Sequence, residues 1–345
     1  HLANRRIVPV DAVFQADMLE QQIPTRPTLF IELFAGRCGL SSEAKKLGAT
    51  IHPFDMKLRT KDKWDPILAP QRMVDFKKHL IDLVRAQPNV RVFLFSGTPC
   101  VDWSSLGSSN GMQRHRSDAN INKFNELSTA DQRTLQKSCF ESSNIGENGV
   151  WGVVREHRHI LKSVRKKNNI SREKEENANY QLLQMLEIFG QLIVECPNNT
   201  VEFCFENGAK TYIWDAIDEL LDLVSRGIDA TNFARHLHMF ANGNSITYIT
   251  AALKSMAKVK GADPSIVCDC CRFGALWKKE TRFGTNSASI VKEFQGRYWT
   301  CEHGGFCQDV HIGVCDLKGS LTAADPSAYP TRLCQHFADV VMNGS

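Results

Sequence analysis

The 345-residue sequence has no apolar run approaching the length of a membrane span, so a helical membrane protein is not expected. Its first residues carry no short apolar core of the secretory type, which argues against a signal peptide. His1 in place of Met is read as the start of a processed, trimmed or partial chain. Internal repeats and long low-complexity stretches are also missing, which leaves one large domain or two ordinary ones. Charge of one sign is scarce as well. A formal net charge of +4 permits nucleic-acid binding without arguing for it, because a local patch counts for more than the sum. Cysteine is present twelve times, too dilute in a chain of this size for a disulfide scaffold. The cysteines are scattered through apolar stretches such as EFCFEN, so free thiols in a reducing, intracellular compartment are expected.

A hydrophobic content of 42% allows a sizeable core, and its patterning is that of an α/β protein. TLFIELF (28–34) reads as a strand, AGRCG (35–39) as a turn and LSSEAKKLG (40–48) as a helix closed by Gly48. ATIHPFD (49–55) reads as a second strand, 76–86 as a helix and VRVFLF (90–95) as a third strand. Residues 173–194 carry apolar positions at three- and four-residue spacing, and TVEFCF (200–205) is a strand before a helix near 212–225. Strands alternating with helices imply a doubly wound, mostly parallel sheet. The expected divisions are an N-terminal extension (1–27), a cofactor-binding half with a loop after the third strand (28–104) and a polar, basic insert (105–170). The remainder of the sheet (171–260) and a small C-terminal region (261–345) follow.

Four of these strands end in polar or glycine-rich punctuation: Ala35-Gly36, Asp55, Pro99-Cys100 and Glu206-Asn207. In open parallel sheets, ligands bind outside the carboxyl ends of the strands, so residues spread over 170 positions are expected on one rim. The turn Phe34-Ala35-Gly36-Arg37-Cys38-Gly39 allows close backbone approach to a ligand. Asp55 follows at about the twenty-residue separation where an acid grips ribose hydroxyls. The three-glycine dinucleotide fingerprint is absent, which favours a different adenosine-type ligand; a plain packing turn is the alternative. Cys100 alone reads as an inert buried thiol or as a nucleophile. Paired with Glu206, it suits attack on an electron-poor ring whose nitrogen the acid protonates.

These residues resemble a family. FIELFAGRCGLSSEAKKLGA looks like the first motif of the cytosine-C5 methyltransferases, an Asp-Leu-Phe-Ala-Gly-x-Gly-Gly pattern. SGTPCVDWSS resembles their Pro-Cys motif, FENG their Glu-Asn motif, and WKKETRFGTN (277–286) their following basic motif, all in the same order. The nearest resemblance is to a divergent branch found as domains of retrotransposon and algal proteins. There a Trp-Ser follows the cysteine (Trp103-Ser104), an Ala-Asn pair precedes the acid (Ala178-Asn179) and a tryptophan follows it (Trp214). The chain ends with a matching Tyr-Pro-x-x-Leu-Cys segment, Tyr329 to Cys334.

The resemblance implies a Rossmann-like, S-adenosylmethionine-dependent fold that methylates C5 of cytosine in DNA through a covalent cysteine adduct. Phe34, Ala35, Gly36, Gly39 and Pro99 would border the cofactor, Asp55 its ribose and Asp75 its adenine amine. Cys100 would be the nucleophile, Glu206 would hold N3, Asn207 would orient the cysteine loop and Arg282 would steady the base. Ser104, Lys278 and Lys279 would contact nucleic acid, with the target flipped from the duplex; Arg114 and Arg116, in the unmatched insert, are candidate contacts by their charge. The pattern departs at Thr98-Pro99-Cys100-Val101, where Pro-Pro-Cys-Gln is usual, and at Cys38, which displaces a glycine. DNA as partner favours a nuclear location. RNA as substrate, and a non-catalytic binding module within a larger polypeptide or complex, are the alternatives.

Basic residues of the insert, among them Arg155, Arg158, Arg165, Lys166 and Lys167, fit a nucleic-acid-contacting flap or a solvated surface excursion. Cys268, Cys270, Cys271, Cys301, His303, Cys307 and Cys315 lack the usual zinc-knuckle spacing, so free thiols rather than a metal are expected there.

Overall fold

The computed structural model describes residues 27–55, 70–98, 172–211, 213–227, 243–275, 279–301 and 329–344. These residues form a three-layer α/β arrangement around one six-stranded sheet. The strands are β1 (Thr28–Leu33), β2 (Thr50–Phe54), β3 (Arg91–Gly97), β4 (Thr200–Gly208), β5 (Val267–Asp269) and β6 (Glu280–Thr285). The described α-helices are α1 (Gly39–Lys46), α2 (Pro70–Arg85), α3 (Arg172–Glu195), α4 (Ile213–Ser225), α5 (Gly243–Lys258), α6 (Ala288–Phe294) and α7 (Thr331–Asn343). None of them is long and apolar enough to cross a membrane.

The sheet order is β2-β1-β3-β4-β6-β5. The first four strands are mutually parallel, and β6 runs antiparallel to both β4 and β5. Every residue of β1 is buried, as expected of a parallel strand covered on both faces. The period-two alternation splits the core in two. Leu29, Ile31, Leu33, Val92, Leu94, Phe203 and Phe205 face a layer that includes residues of α2, α3, α4 and α5. Phe30, Phe93, Phe95, Cys204 and Phe283 face residues of α1, α6 and α7.

Two expectations are corrected. β4 does not stop at Phe205: Glu206, Asn207 and Gly208 continue it, because Phe283, Arg282 and Thr281 of β6 pair with them. The basic-motif stretch is, from Glu280 to Thr285, that pairing strand. Nor does the sheet divide at residue 261, since β5, β6 and α7 complete it and cover its second face.

Candidate functional site

The strand order reverses between β1 and β3, with β2 outward of β1 on one side and β4, β6 and β5 following β3 on the other. At such a reversal the connections leave toward opposite faces, and the crevice at the carboxyl ends admits a ligand. Beyond β1 lies the glycine turn. Phe34 (φ 56°), Gly36 (φ 52°) and Cys38 (φ 56°) all adopt left-handed backbone there, which costs non-glycine residues about 1 kcal/mol each. Hydrogen bonds hold the conformation. Ala35 N–H donates to Phe54 O (3.1 Å), Cys38 N–H to Ala35 O (2.7 Å) and Gly36 N–H to Asp55 Oδ2 (2.9 Å).

Asp55 therefore anchors the turn as well as standing on the rim. Among the described residues, a Cβ on Gly36 would meet no atom within 4 Å, so on their side the turn is open at that residue. Gly39 differs, because a Cβ there would lie 2.9 Å from Cys334 Sγ on α7. The side of Gly39 where a side chain would stand is filled by α7, so the glycine packs α1 against α7 there. Asp75 is exposed on α2, one residue before Phe76, whose ring meets Phe54 edge-on at 5.1 Å.

Just inside the turn, sequence reasoning missed Glu32. It is 2% exposed and accepts hydrogen bonds from the Ser41 N–H (2.9 Å) and the Ser41 hydroxyl (2.5 Å) at the start of α1. Burial pushes its carboxyl up to about 7, against the opposing pull of those two bonds.

At the neighbouring strand ends, Gly97 of β3 stands directly opposite Glu206 of β4. Asn207, 1% exposed, donates from Nδ2 to the Thr98 carbonyl (2.9 Å) and accepts at Oδ1 from the Thr211 hydroxyl (2.8 Å). Thr98 packs inward, its hydroxyl 2.9 Å from Met185 Sδ and 3.1 Å from Ser96 Oγ. The side chain expected to orient the cysteine loop thus grips the chain two residues before Cys100. Glu206, 5% exposed, has its Oε1 3.2 Å from Lys279 Nζ, and its Oε2 accepts from the Tyr329 hydroxyl at 2.7 Å. Lys279 also lies 5.8 Å above the Tyr329 ring.

Arg282 does not join them. It pairs with Asn207 across the β4–β6 ladder, one position from the Glu206–Phe283 pair, and alternation sends it to the other face. There its guanidinium stacks on the Trp214 ring at 4.4 Å, donates to the Ala262 carbonyl and approaches Asp218 at 3.9 Å. Burial pulls its ionisation down, with Asp218, Asp263 and Asp215 opposing. The role expected of Arg282 beside Glu206 is taken in space by Lys279. Pro99, Cys100, Ser104, Arg114, Arg116 and Lys278 lie outside the described residues, as does the basic insert.

Six described thiols have shifted ionisation: Cys38, Cys196, Cys204, Cys268, Cys270 and Cys334. All are pushed up by burial, which favours the protonated thiol; five are buried, and Cys38 is half-buried on the glycine turn. Among the described residues no group of three or more His, Cys, Asp or Glu is arranged to hold a metal. His303, Cys307 and Cys315 lie outside them.

Comparison with protein-family models, with curated proteins and with solved structures finds no match. The chemistry of the rim rests on its own geometry. A buried carboxyl group flanked by an ammonium and a phenol can hold a protonated ring nitrogen, beside a turn that could take a second ligand.

Proposed function

We propose that the chain has a Rossmann-like methyltransferase fold and methylates C5 of cytosine in DNA, with Cys100 as nucleophile and Glu206 as the acid. One observation carries the reading. Asn207 and Glu206, adjacent on β4, bind respectively the backbone two residues before Cys100 and the Lys279–Tyr329 pair, beside the reversal point of the sheet. Residues of the glycine turn suit S-adenosylmethionine, since Gly36 is open and Asp55 stands beside it. When bound there, the cofactor supplies an electrophilic methyl group.

In this reading the Cys100 thiolate forms a bond to C6 of the flipped base while Glu206 gives its proton to N3. The electron pair displaced from the C5–C6 double bond makes C5 the nucleophile. After methylation, a base such as water removes the C5 proton, the C6–sulfur bond breaks to regenerate the thiolate, and Glu206 recovers its proton from N3. Asn207 and Pro99 set the aim of the thiol, and Lys279 balances the charge on Glu206. Ser104, Arg114, Arg116 and Lys278 would hold the nucleic acid.

The test is transfer of label from S-adenosylmethionine to cytosine C5 in duplex DNA, with RNA in parallel. Label in DNA that is lost in Cys100→Ser and reduced at least about a hundredfold in Glu206→Gln supports the proposal. Label in RNA alone moves the substrate. Binding of S-adenosylmethionine or DNA with no label in either polymer leaves a non-catalytic binding module.

A further inference from the structure

The two oxygens of Glu206 are engaged from unlike sides. Lys279, on the Oε1 side, keeps 27% of its side chain exposed, whereas the Glu206 side chain keeps 6%. The Oε2 side is closed. The Tyr329 hydroxyl sits on it, and a Cβ built on Gly97 would fall 3.0 Å from that hydroxyl. The Tyr329 ring is fixed by an edge-on contact with Phe95 (5.9 Å) and by Pro330 leading into α7, which packs on α1 and on the sheet. Burial and the neighbouring Glu206 push its phenol well up, so the hydroxyl remains a donor through the neutral range. Gly97 in SGTPC thus has a physical reason to be glycine: the Tyr329 hydroxyl occupies the space a side chain would need.

We propose that Tyr329 is a positioning residue for the acid: its hydroxyl locks Glu206 Oε2 against Gly97, leaving Oε1, beside Lys279, as the oxygen that meets the ring nitrogen. The role rests on the cytosine-methyltransferase reading. A carboxylate held by one fixed donor has one orientation to offer. Without it the group rotates between two oxygens and spends less time in the productive geometry. The effect belongs to the chemical step and not to ligand affinity, because Tyr329 acts through Glu206.

The experiment is single-turnover methyl transfer at saturating S-adenosylmethionine and duplex DNA, with both affinities measured separately by equilibrium binding. Tyr329→Phe keeps the ring against Phe95 and removes only the hydroxyl. The expected result is a rate about tenfold lower, the size of a hydrogen bond to a charged group, with both affinities within about threefold of wild type. Gly97→Ala, which crowds the same hydroxyl, is expected to slow the step in the same direction. The double variant is expected to be no slower than Tyr329→Phe alone, because both changes act through one contact. An active wild type with Tyr329→Phe at the wild-type rate overturns the positioning role alone. So does a loss confined to affinity, or additive losses in the double variant. A wild type that transfers no methyl group overturns the cytosine reading, and the role with it.

Discussion

Glu32, buried beneath Ser41 at the start of α1, ties the stability of the fold to pH. Its carboxyl ionises near 7 in the folded chain against 4.5 for an ordinary glutamate, so between these values the folded state holds a proton that the unfolded chain has released. Stability from this group is therefore complete below about pH 4.5 and is lost as pH rises through 7, by about 3 kcal/mol in all. Denaturant unfolding between pH 5 and 8 is expected to show this decline. Glu32→Gln, which keeps an acceptor for Ser41, is expected to flatten it and to be the more stable protein at pH 8. Glu32 stands where the first motif of the resembled family has Asp, so the acid itself was legible, but its burial was not: that comes from Ser41 nine residues away closing over it.

At the scale of elements, β6 decides which residues share the site. The strands β1 and β3, and the helix α3, were legible because their apolar runs and helical spacing are local properties. The extension of β4 was not, because Glu206-Asn207-Gly208 reads as punctuation until an antiparallel partner satisfies its backbone. The basic stretch WKKETRFGTN advertised its charges without their faces: Lys279 and Arg282, three residues apart, end up on opposite sides of the sheet. Arg282 is a structural cation tying β6 to Trp214 of α4 and to the Ala262 carbonyl in the turn between α5 and β5. Arg282→Ala is expected to lower unfolding stability by about 2–4 kcal/mol, because it strips a buried, stacked and hydrogen-bonded charge. Arg282→Lys is expected to fall between, having lost the planar stacking. Chemical denaturation reads both. A destabilisation below about 0.5 kcal/mol for Arg282→Ala would contradict this anchoring role.

For the whole molecule, chain ends far apart in sequence close one sheet. Arg91 at the start of β3 forms a two-bond pair with Glu202 of β4 (3.0 and 2.8 Å) and donates to the Val341 carbonyl near the end of α7. At the same face Phe337 of α7 meets the rings of Phe93, Phe95, Phe283 and Phe294, at centroid distances from 5.1 to 6.1 Å. Helix α7 thus covers the centre of the sheet and delivers Tyr329 to Glu206 at its start. Phe337→Ala is expected to cost about 3–5 kcal/mol in equilibrium unfolding, the usual price of emptying a fully buried aromatic position. The same change is expected to weaken the Tyr329–Glu206 contact indirectly. That α7 belongs to the sheet and not to a separate C-terminal unit could not be read from its amphipathic pattern, which says that one face is buried but not against what.

The most direct measurement of the central claim is covalent trapping of the chain on duplex DNA containing 5-fluorocytosine, in the presence of S-adenosylmethionine. Fluorine at C5 cannot leave as a proton does, so a Cys100–C6 bond, once formed, persists through denaturation. The expected result is a stable protein–DNA adduct with wild type, none with Cys100→Ser, and one formed more slowly with Glu206→Gln. Equal absence of adduct in wild type and Cys100→Ser, with the DNA shown to bind, would contradict it.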